Sequence, residues 1–277
     1  MTPSAYPPEH HVIRDLRITT ERMALDHSLS SCPVSDHVRN AAGAAGLGLI
    51  VALTDVAGAT VALAAASPDW PATADLAYQA TAPITEGPVL AGARLVRRGS
   101  KTVVVEVEVF DGRGGEDLAV AAPAGAGVMT FGRLPGSASA IRIDPKQNMG
   151  RSSSARGDRH LSTALLDEIG LRVIDAAGGQ VELAKSEYIR NSFGTINGGV
   201  MGMVMQGAAE AAGAGLGRFV ATDIQLHYLA QTRTGPLRTS LRLVRVTPDH
   251  VVCRVRGVDA GNDDLVVALA TVLLQAW

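Results

Sequence analysis

Asp55 is a carboxylate in the middle of a run that is otherwise apolar, GLGLIVALTDVAGATVALAAA from Gly46 to Ala66. An acid so placed is either satisfied structurally, by a hydroxyl or a helix N-terminus, or held with a perturbed proton affinity that suits it to acid–base or nucleophilic work. A hydroxyl follows in Thr73-Ala74-Asp75. Far along the chain, NSFGTINGG (Asn191 to Gly199) leads into a second apolar segment with helical character. The first N–H groups of a helix are unpaired and carry the positive end of its dipole, so they can polarise a carbonyl. Gly198 and Gly199 at that start either admit a reactant or serve close packing. Asn191, and Asn40 in a matching loop, read equally as site residues or as loop and capping residues.

Other chemistries find no support. The seven histidines form no cluster with metal-ligand spacing, so no metal is expected. No Gly-x-Ser-x-Gly elbow occurs. GAGLG at Gly213–Gly217 follows a helix rather than a strand and is no nucleotide fingerprint. Cys32 and Cys253 lie far apart and read as buried, reduced thiols. Glu210, one turn after Gln206, reads as a solvated helix position before it reads as a reserve acid.

These residues sit in a duplicated framework. NAAGAAGLGLIVALTDVAG from Asn40 matches NSFGTINGGVMGMVMQGAA from Asn191, an offset of 151. Asp75 then pairs with Asp223, Gly87-Pro88 with Gly235-Pro236, Leu95-Val96-Arg97 with Leu243-Val244-Arg245, and Asp111 with Asp259, each at an offset of 148. A near-constant offset over so long a stretch implies duplication of one unit. The polar, Ser/Arg/Gly-rich stretch near residues 140–160 has linker composition. The expected division is residues 1–135, a linker at 136–160, and residues 161–277.

Each half reads as α+β. In the second, a short helix is expected at Leu161–Gly170, a strand–turn–strand with Gly178-Gly179 at the turn, a helix from about Gly199 to Ala212, and then period-two β-branched runs. A helix apolar on most sides needs an antiparallel sheet around it. Gly46–Ala66 is long enough to span a bilayer, but Asp55 at its centre costs roughly 3 kcal/mol there, so a buried core helix is expected and no membrane partner. The chain has 277 residues, formal net charge −2 and 47% hydrophobic residues. That composition excludes disorder and gives no reason to expect nucleic acid. The opening MTPSAYPPEHHVIRDLR lacks the apolar stretch of an export signal, which points to the cytoplasm and makes the tripeptide Arg156-Gly157-Asp158 a coincidence.

Asn-x-x-Gly-x-x-His-Gly-Gly at a helix start, an acid nine residues after the His, and a following Ser/Thr-x-Asp strand together mark the PaaI-like hotdog thioesterases. NSFGTINGG at Asn191–Gly199, Asp55 in TDVAG, and Thr73-Ala74-Asp75 resemble that pattern over most of both halves. The resemblance implies a double hotdog, two antiparallel sheets each wrapped around a long apolar helix. It implies thioester hydrolysis, with an acyl-CoA or an acyl-carrier-protein thioester as substrate and no cofactor beyond the coenzyme A of the substrate.

The resemblance also implies sites shared between halves, the Asn loop and helix start from one and the acid and hydroxyl from the other. Carried over by position, Asp55 is the base or nucleophile, Thr73 orients water, the Gly198 N–H polarises the carbonyl and Asn191 supports water or acid, with Asn197 and Gly199 beside the substrate. Asn197 stands where the family has His, which keeps a hydrogen-bonding group and loses a titratable one. The reciprocal combination, Asn40, Gly46 and Leu47 with Gln206 and Ala221, has lost its acid and its hydroxyl together and reads as degenerate. Met201, Met203 and Met205 are expected in the core or lining an acyl pocket, and Arg97, Arg98 and Arg245 either meet coenzyme A phosphates or are simply solvated. Two alternatives stay open: an acyl-CoA-binding protein without catalysis, and a hydratase or dehydratase, which would call for a His paired with the acid. Hotdog sheets commonly associate, so a homo-oligomer, a dimer of double hotdogs, is expected.

Overall fold

The computed structural model describes residues 6–135 and 149–277; residues 136–148 of the expected linker lie outside the described residues. The chain forms two compact units that do not follow chain order alone: Met1–Val34 with Leu53–His160, and Ser35–Ala52 with Leu161–Trp277.

The first unit carries α1 (Val12–Asp15), β1 (Thr19–Ala24), β2 (His27–Cys32), most of α2 (Leu47–Ala66), β3 (Trp70–Ala80), β4 (Val89–Arg98), β5 (Thr102–Asp111), β6 (Ala122–Leu134) and β7 (Gly150–Ser153). Its strands lie antiparallel in the order β7-β1-β2-β4-β5-β6-β3. The second unit carries the start of α2, then α3 (Leu165–Glu168), β8 (Arg172–Asp175), β9 (Gln180–Leu183), α4 (Gly198–Ala214), β10 (Phe219–Tyr228), β11 (Leu237–Val246), β12 (His250–Asp259) and β13 (Leu265–Ala276), in the order β10-β13-β12-β11-β9-β8. Each unit is thus an antiparallel sheet with a long apolar helix, the double hotdog that the resemblance implies.

Alternation builds these sheets. In β5, Val103, Val105, Val107 and Val109 point inward and are buried, while Glu106 and Glu108 point out. In β12, Val251, Cys253, Val255 and Gly257 take the inner face, and Arg254 and Arg256 the outer. Helix α2 has no polar stripe, and most of its residues are buried, so the membrane-length segment is a core helix. Three side chains of the first unit tie it down: Ser28 Oγ donates to the Ala57 carbonyl (3.0 Å), Arg22 Nη2 to Thr60 O (2.9 Å) and Arg133 Nη2 to Ala66 O (2.9 Å). The last of these closes the helix C-terminus, where carbonyls lack partners. Helix α4 buries Met201, Met203 and Met205 against its own unit, so these methionines pack the core.

The described end of the linker belongs to the first unit. Strand β7 pairs with β1, Ser154 Oγ donates to the carbonyls of Ile13 and Ile18 (both 2.8 Å), and Arg159 pairs with the buried Asp15 (3.1 Å). Gly157 of the Arg-Gly-Asp tripeptide is held through its carbonyl by Arg17 (3.1 Å).

A matched carboxylate organises the same turn in both units. Asp111 accepts N–H bonds from Thr85, Glu86, Gly87 and Arg113, and Asp259 accepts from Arg233, Thr234 and Gly235. Burial raises each acid's pKa, and the converging N–H donors more than offset it, so both end below the ordinary aspartate value. A depressed folded pKa contributes stability that is present above the unfolded value of about 3.9 and lost as pH falls through the folded value. Asp111→Asn and Asp259→Asn are each expected to lower unfolding free energy near neutrality by about 1–3 kcal/mol, the cost of stranding buried donors. Denaturant titrations should show that loss shrinking below about pH 4, where the wild-type carboxylates protonate; an undiminished loss in acid would remove the charge from the explanation.

Candidate active site

Asp55 lies midway along α2 and is half-buried. Thr73 Oγ1 donates to its Oδ1 at 2.9 Å. The contact depends on a β-bulge: pairing of β3 with β6 slips between Thr73 and Asp75, leaving Ala74 as the extra residue. A bulge turns a strand and re-aims its side chains. Strand β10 has the matching irregularity between Ala221 and Asp223. The acid and hydroxyl expected to act together are therefore brought together, within the first unit.

The Asn loops are built alike. Asn191 Oδ1 accepts from the N–H groups of Phe193 (2.9 Å) and Thr195 (3.0 Å), while its Nδ2 donates to Thr195 Oγ1 (2.8 Å) and Ile196 O (3.4 Å). Asn40 Oδ1 accepts from Ala42 (3.0 Å) and Ala44 (3.2 Å). Of the two readings open in the sequence, the loop-forming one is what the geometry displays, because the Asn191 amide holds its own turn.

At that start Asn197 is the N-cap, its Oδ1 accepting from the Gly199 N–H at 2.9 Å. The Gly198 carbonyl accepts from Tyr228 Oη (3.0 Å), and the Gly198 N–H has no hydrogen-bond partner among the described residues. It is the first of the orphan donors of α4 and is oriented as a helix dipole orients it. A Cβ on Gly199 would come within 2.7 Å of Ala52 Cα, so this glycine is required by the close packing of α4 on the start of α2.

The reciprocal group is closed by the protein itself. Gly46, at the position matching Asn197, has no side chain to cap α2. Gln206 does so from α4, with its Oε1 accepting from the Gly48 N–H at 2.6 Å. Gln206 Nε2 donates to Glu210 Oε2 (3.0 Å), and Glu210 Oε1 accepts from the Ala221 N–H (3.0 Å). Gln206 is thus an interhelical cap, and the donor that would match Gly199 is taken.

Glu210 corrects the sequence reading. It is not a solvated helix position: it is half-buried, its oxygens are both hydrogen-bonded, and burial raises its pKa against the opposing effect of those bonds. It faces Ala221, the strand position that matches Thr73, so the second half retains an acid there, displaced by one helical turn. The signal in the sequence was its distance from Asp55, the repeat offset plus four residues.

Asn197, Gly198 and Gly199 belong to the second unit and Asp55 and Thr73 to the first. Arg97, Arg98 and Arg245 are exposed at strand ends. Cys32 and Cys253 are buried free thiols, with burial pushing the Cys32 pKa far up and that of Cys253 to about 11.

The family pattern of the thioesterase superfamily matches residues 47–117 and 193–266, just over half of the chain. No curated protein matches the chain. Among solved structures, it is similar to a Thermobifida fusca protein described as a candidate thioesterase II (13% identity, TM-score 0.61, 98% of each chain covered). It is also similar to the tesB protein of Mycobacterium avium subspecies paratuberculosis (10% identity, TM-score 0.61, covering 95% of this chain and 97% of that one). A third is an acyl-ACP thioesterase from Bacteroides thetaiotaomicron (10% identity, TM-score 0.51, 90% and 98%). At these identities the likeness carries the fold.

Gln206→Ala removes the cap of α2 and one bond to Glu210. It is expected to lower stability by about 0.5–2 kcal/mol, the range for losing an N-cap. Gly46→Asn, which restores a local capping group, should recover part of that loss in the double variant; thermal unfolding of the three variants decides, and no recovery would assign the loss to Glu210 instead.

Proposed function

The chain belongs to the thioesterase superfamily, and from that premise we propose that it is a PaaI-like, cytoplasmic hydrolase of acyl-CoA thioesters, or of acyl-carrier-protein thioesters, acting through Asp55. The observation that carries this reading is the 2.9 Å hydrogen bond from Thr73 to Asp55. That bond fixes one carboxylate oxygen and leaves the Thr73 oxygen as an acceptor for water.

In the proposed reaction the thioester carbonyl is polarised by the Gly198 N–H at the start of α4. Water held by Thr73 adds to the carbonyl carbon as Asp55 takes its proton. The oxyanion forms against the Gly198 donor, where a helix dipole stabilises it. Collapse expels the thiolate, which receives the proton from Asp55, and the free acid leaves. Direct attack by Asp55, giving a mixed anhydride that water then opens, uses the same groups. Asn191 keeps the helix start in place, and no cofactor is needed beyond the coenzyme A of the substrate. One working site per chain fits the capping of Gly48 by Gln206.

A second reading is binding of an acyl-CoA without turnover. It is favoured by Asn197, which stands at the family's His position and uses its side-chain oxygen to cap Gly199.

Thiol release from short, long and aryl acyl-CoAs separates the two. Wild type should turn over at least one of them. Asp55→Asn should lower kcat by about 100-fold or more, the usual contribution of a general base. Thr73→Val should lose less, and Gln206→Ala should remain active at temperatures where it is folded. Saturable acyl-CoA binding without thiol release would establish the second reading.

A further inference from the structure

The outward side of β11 and β12 carries four arginines. Arg238, Ser240 and Arg242 alternate along β11, and Arg254, Arg256 and Val258 along β12, with Arg242 directly opposite Arg254 and Ser240 opposite Arg256. Glu182 of β9 holds Arg238 at 2.7 Å. Arg242, Arg254 and Arg256 are exposed, and none has a carboxylate within 4.0 Å among the described residues. Arg254 Nη1 donates to Thr271 Oγ1 (3.0 Å), while the guanidinium groups of Arg242 and Arg256 have no partner among the described residues. A depression of about 550 Å³ adjoins them, lined by Gln180, Arg238, Ser240 and Arg256 and also by Asp175 and Asp264.

The first unit shows that the fold does not ask for this charge. At the offset of 148, Arg94, Glu106 and Glu108 match Arg242, Arg254 and Arg256. Arg94 stands directly opposite Glu106, a favourable pair. In the second unit the same ladder position sets arginine against arginine, which is unfavourable.

The spacing suits an acidic helix. Outward neighbours on one strand lie about 7 Å apart, and directly opposite ones about 5 Å. A helix presents side chains four residues apart at about 5–6 Å, so carboxylates at that interval can meet several of these groups at once. Each guanidinium can take a carboxylate through two parallel N–H donors. A lipid surface asks for large apolar side chains beside the charge, and a single-stranded nucleic acid for aromatic rings. The neighbouring outward residues are instead Ser240, Thr271 and the half-buried Val258 and Leu269, and β11, β12 and β13 contain no Phe, Tyr or Trp.

We infer that this arginine face docks the acidic helical surface of an acyl carrier protein, which makes the carrier-protein thioester the substrate that the chain selects. The choice of partner rests on the thioesterase reading above; the docking itself rests on the charge and spacing of the face. Such charge matching speeds encounter and is screened by salt.

The test is binding of a holo acyl carrier protein, which has no thioester to cleave, measured by fluorescence anisotropy at low and high salt. Wild type should bind it, more weakly as salt rises. Arg254→Glu/Arg256→Glu should weaken binding by about tenfold or more. That variant gives Arg242 the carboxylate neighbour that Arg94 has, so its thermal unfolding should not fall below wild type. Lys101→Glu/Arg156→Glu makes the same change in net charge on the first unit and should leave binding unchanged. With acyl-loaded carrier protein, Arg254→Glu/Arg256→Glu should raise KM, while turnover of acyl-CoA stays as in wild type. No binding at low salt, or binding equal in wild type and Arg254→Glu/Arg256→Glu, would overturn the docking even if acyl-CoA is cleaved. Binding of anionic vesicles or of a single-stranded oligonucleotide in place of the carrier protein would overturn it too. Hydrolysis of neither thioester would instead count against the thioesterase reading, and the holo carrier protein would still decide the docking.

Discussion

A helix start leaves backbone N–H groups that something must meet, and the two long helices of this chain meet theirs differently. Helix α4 uses its own Asn197; helix α2 begins with Gly46 and borrows Gln206 from α4. The borrowed cap requires the helices to approach closely, and Gly48 and Gly199, a matched pair, have no room for a Cβ. Once α2 is capped from α4, Gln206 is committed, Glu210 becomes its partner, and the Ala221 N–H follows. In the first unit, Asp55 accepts from Thr73.

Much of this was legible because duplication turns one chain into two readings of the same fold. The matched loops at Asn40 and Asn191, the long apolar helices and the period-two strands were visible as pattern, and the pairing of Asp55 with Thr73 followed from the family resemblance. What the pattern could not show was direction. Asn191 and Asn40 persist in both halves, which suits a site or a turn equally, and only the geometry of the amide showed it closing its own turn. Glu210 escaped because helical position was judged within its own half, where one turn beyond the expected acid looks wet; its partner Ala221 arrives from a strand. Gln206 looked like a remnant because its function is on another helix, 158 positions away in sequence.

The sheets divide the sequence into a conservative and a permissive surface. Inward positions on β5 and β12 remain small and apolar because they enclose helices with no wet side. Outward positions answer only to cross-strand neighbours and to whatever lies beyond, so charge can reverse there without disturbing the core. Arg242 and Arg254, opposite one another with no carboxylate within 4.0 Å among the described residues, are a cost that the fold itself does not require.

Joining two copies in one chain also removes a genetic constraint. In a pair of identical subunits, every substitution appears twice, so exchanging the acid of one helix would exchange it in both. In this chain Asp55 can stay while its counterpart becomes Gln206, because each is encoded separately. The borrowed cap therefore makes the two helix starts unlike in what they tolerate: at this one, an acceptor returned at position 46 would compete with Gln206 for the Gly48 N–H, and loss of Gln206 alone would leave that donor unmet.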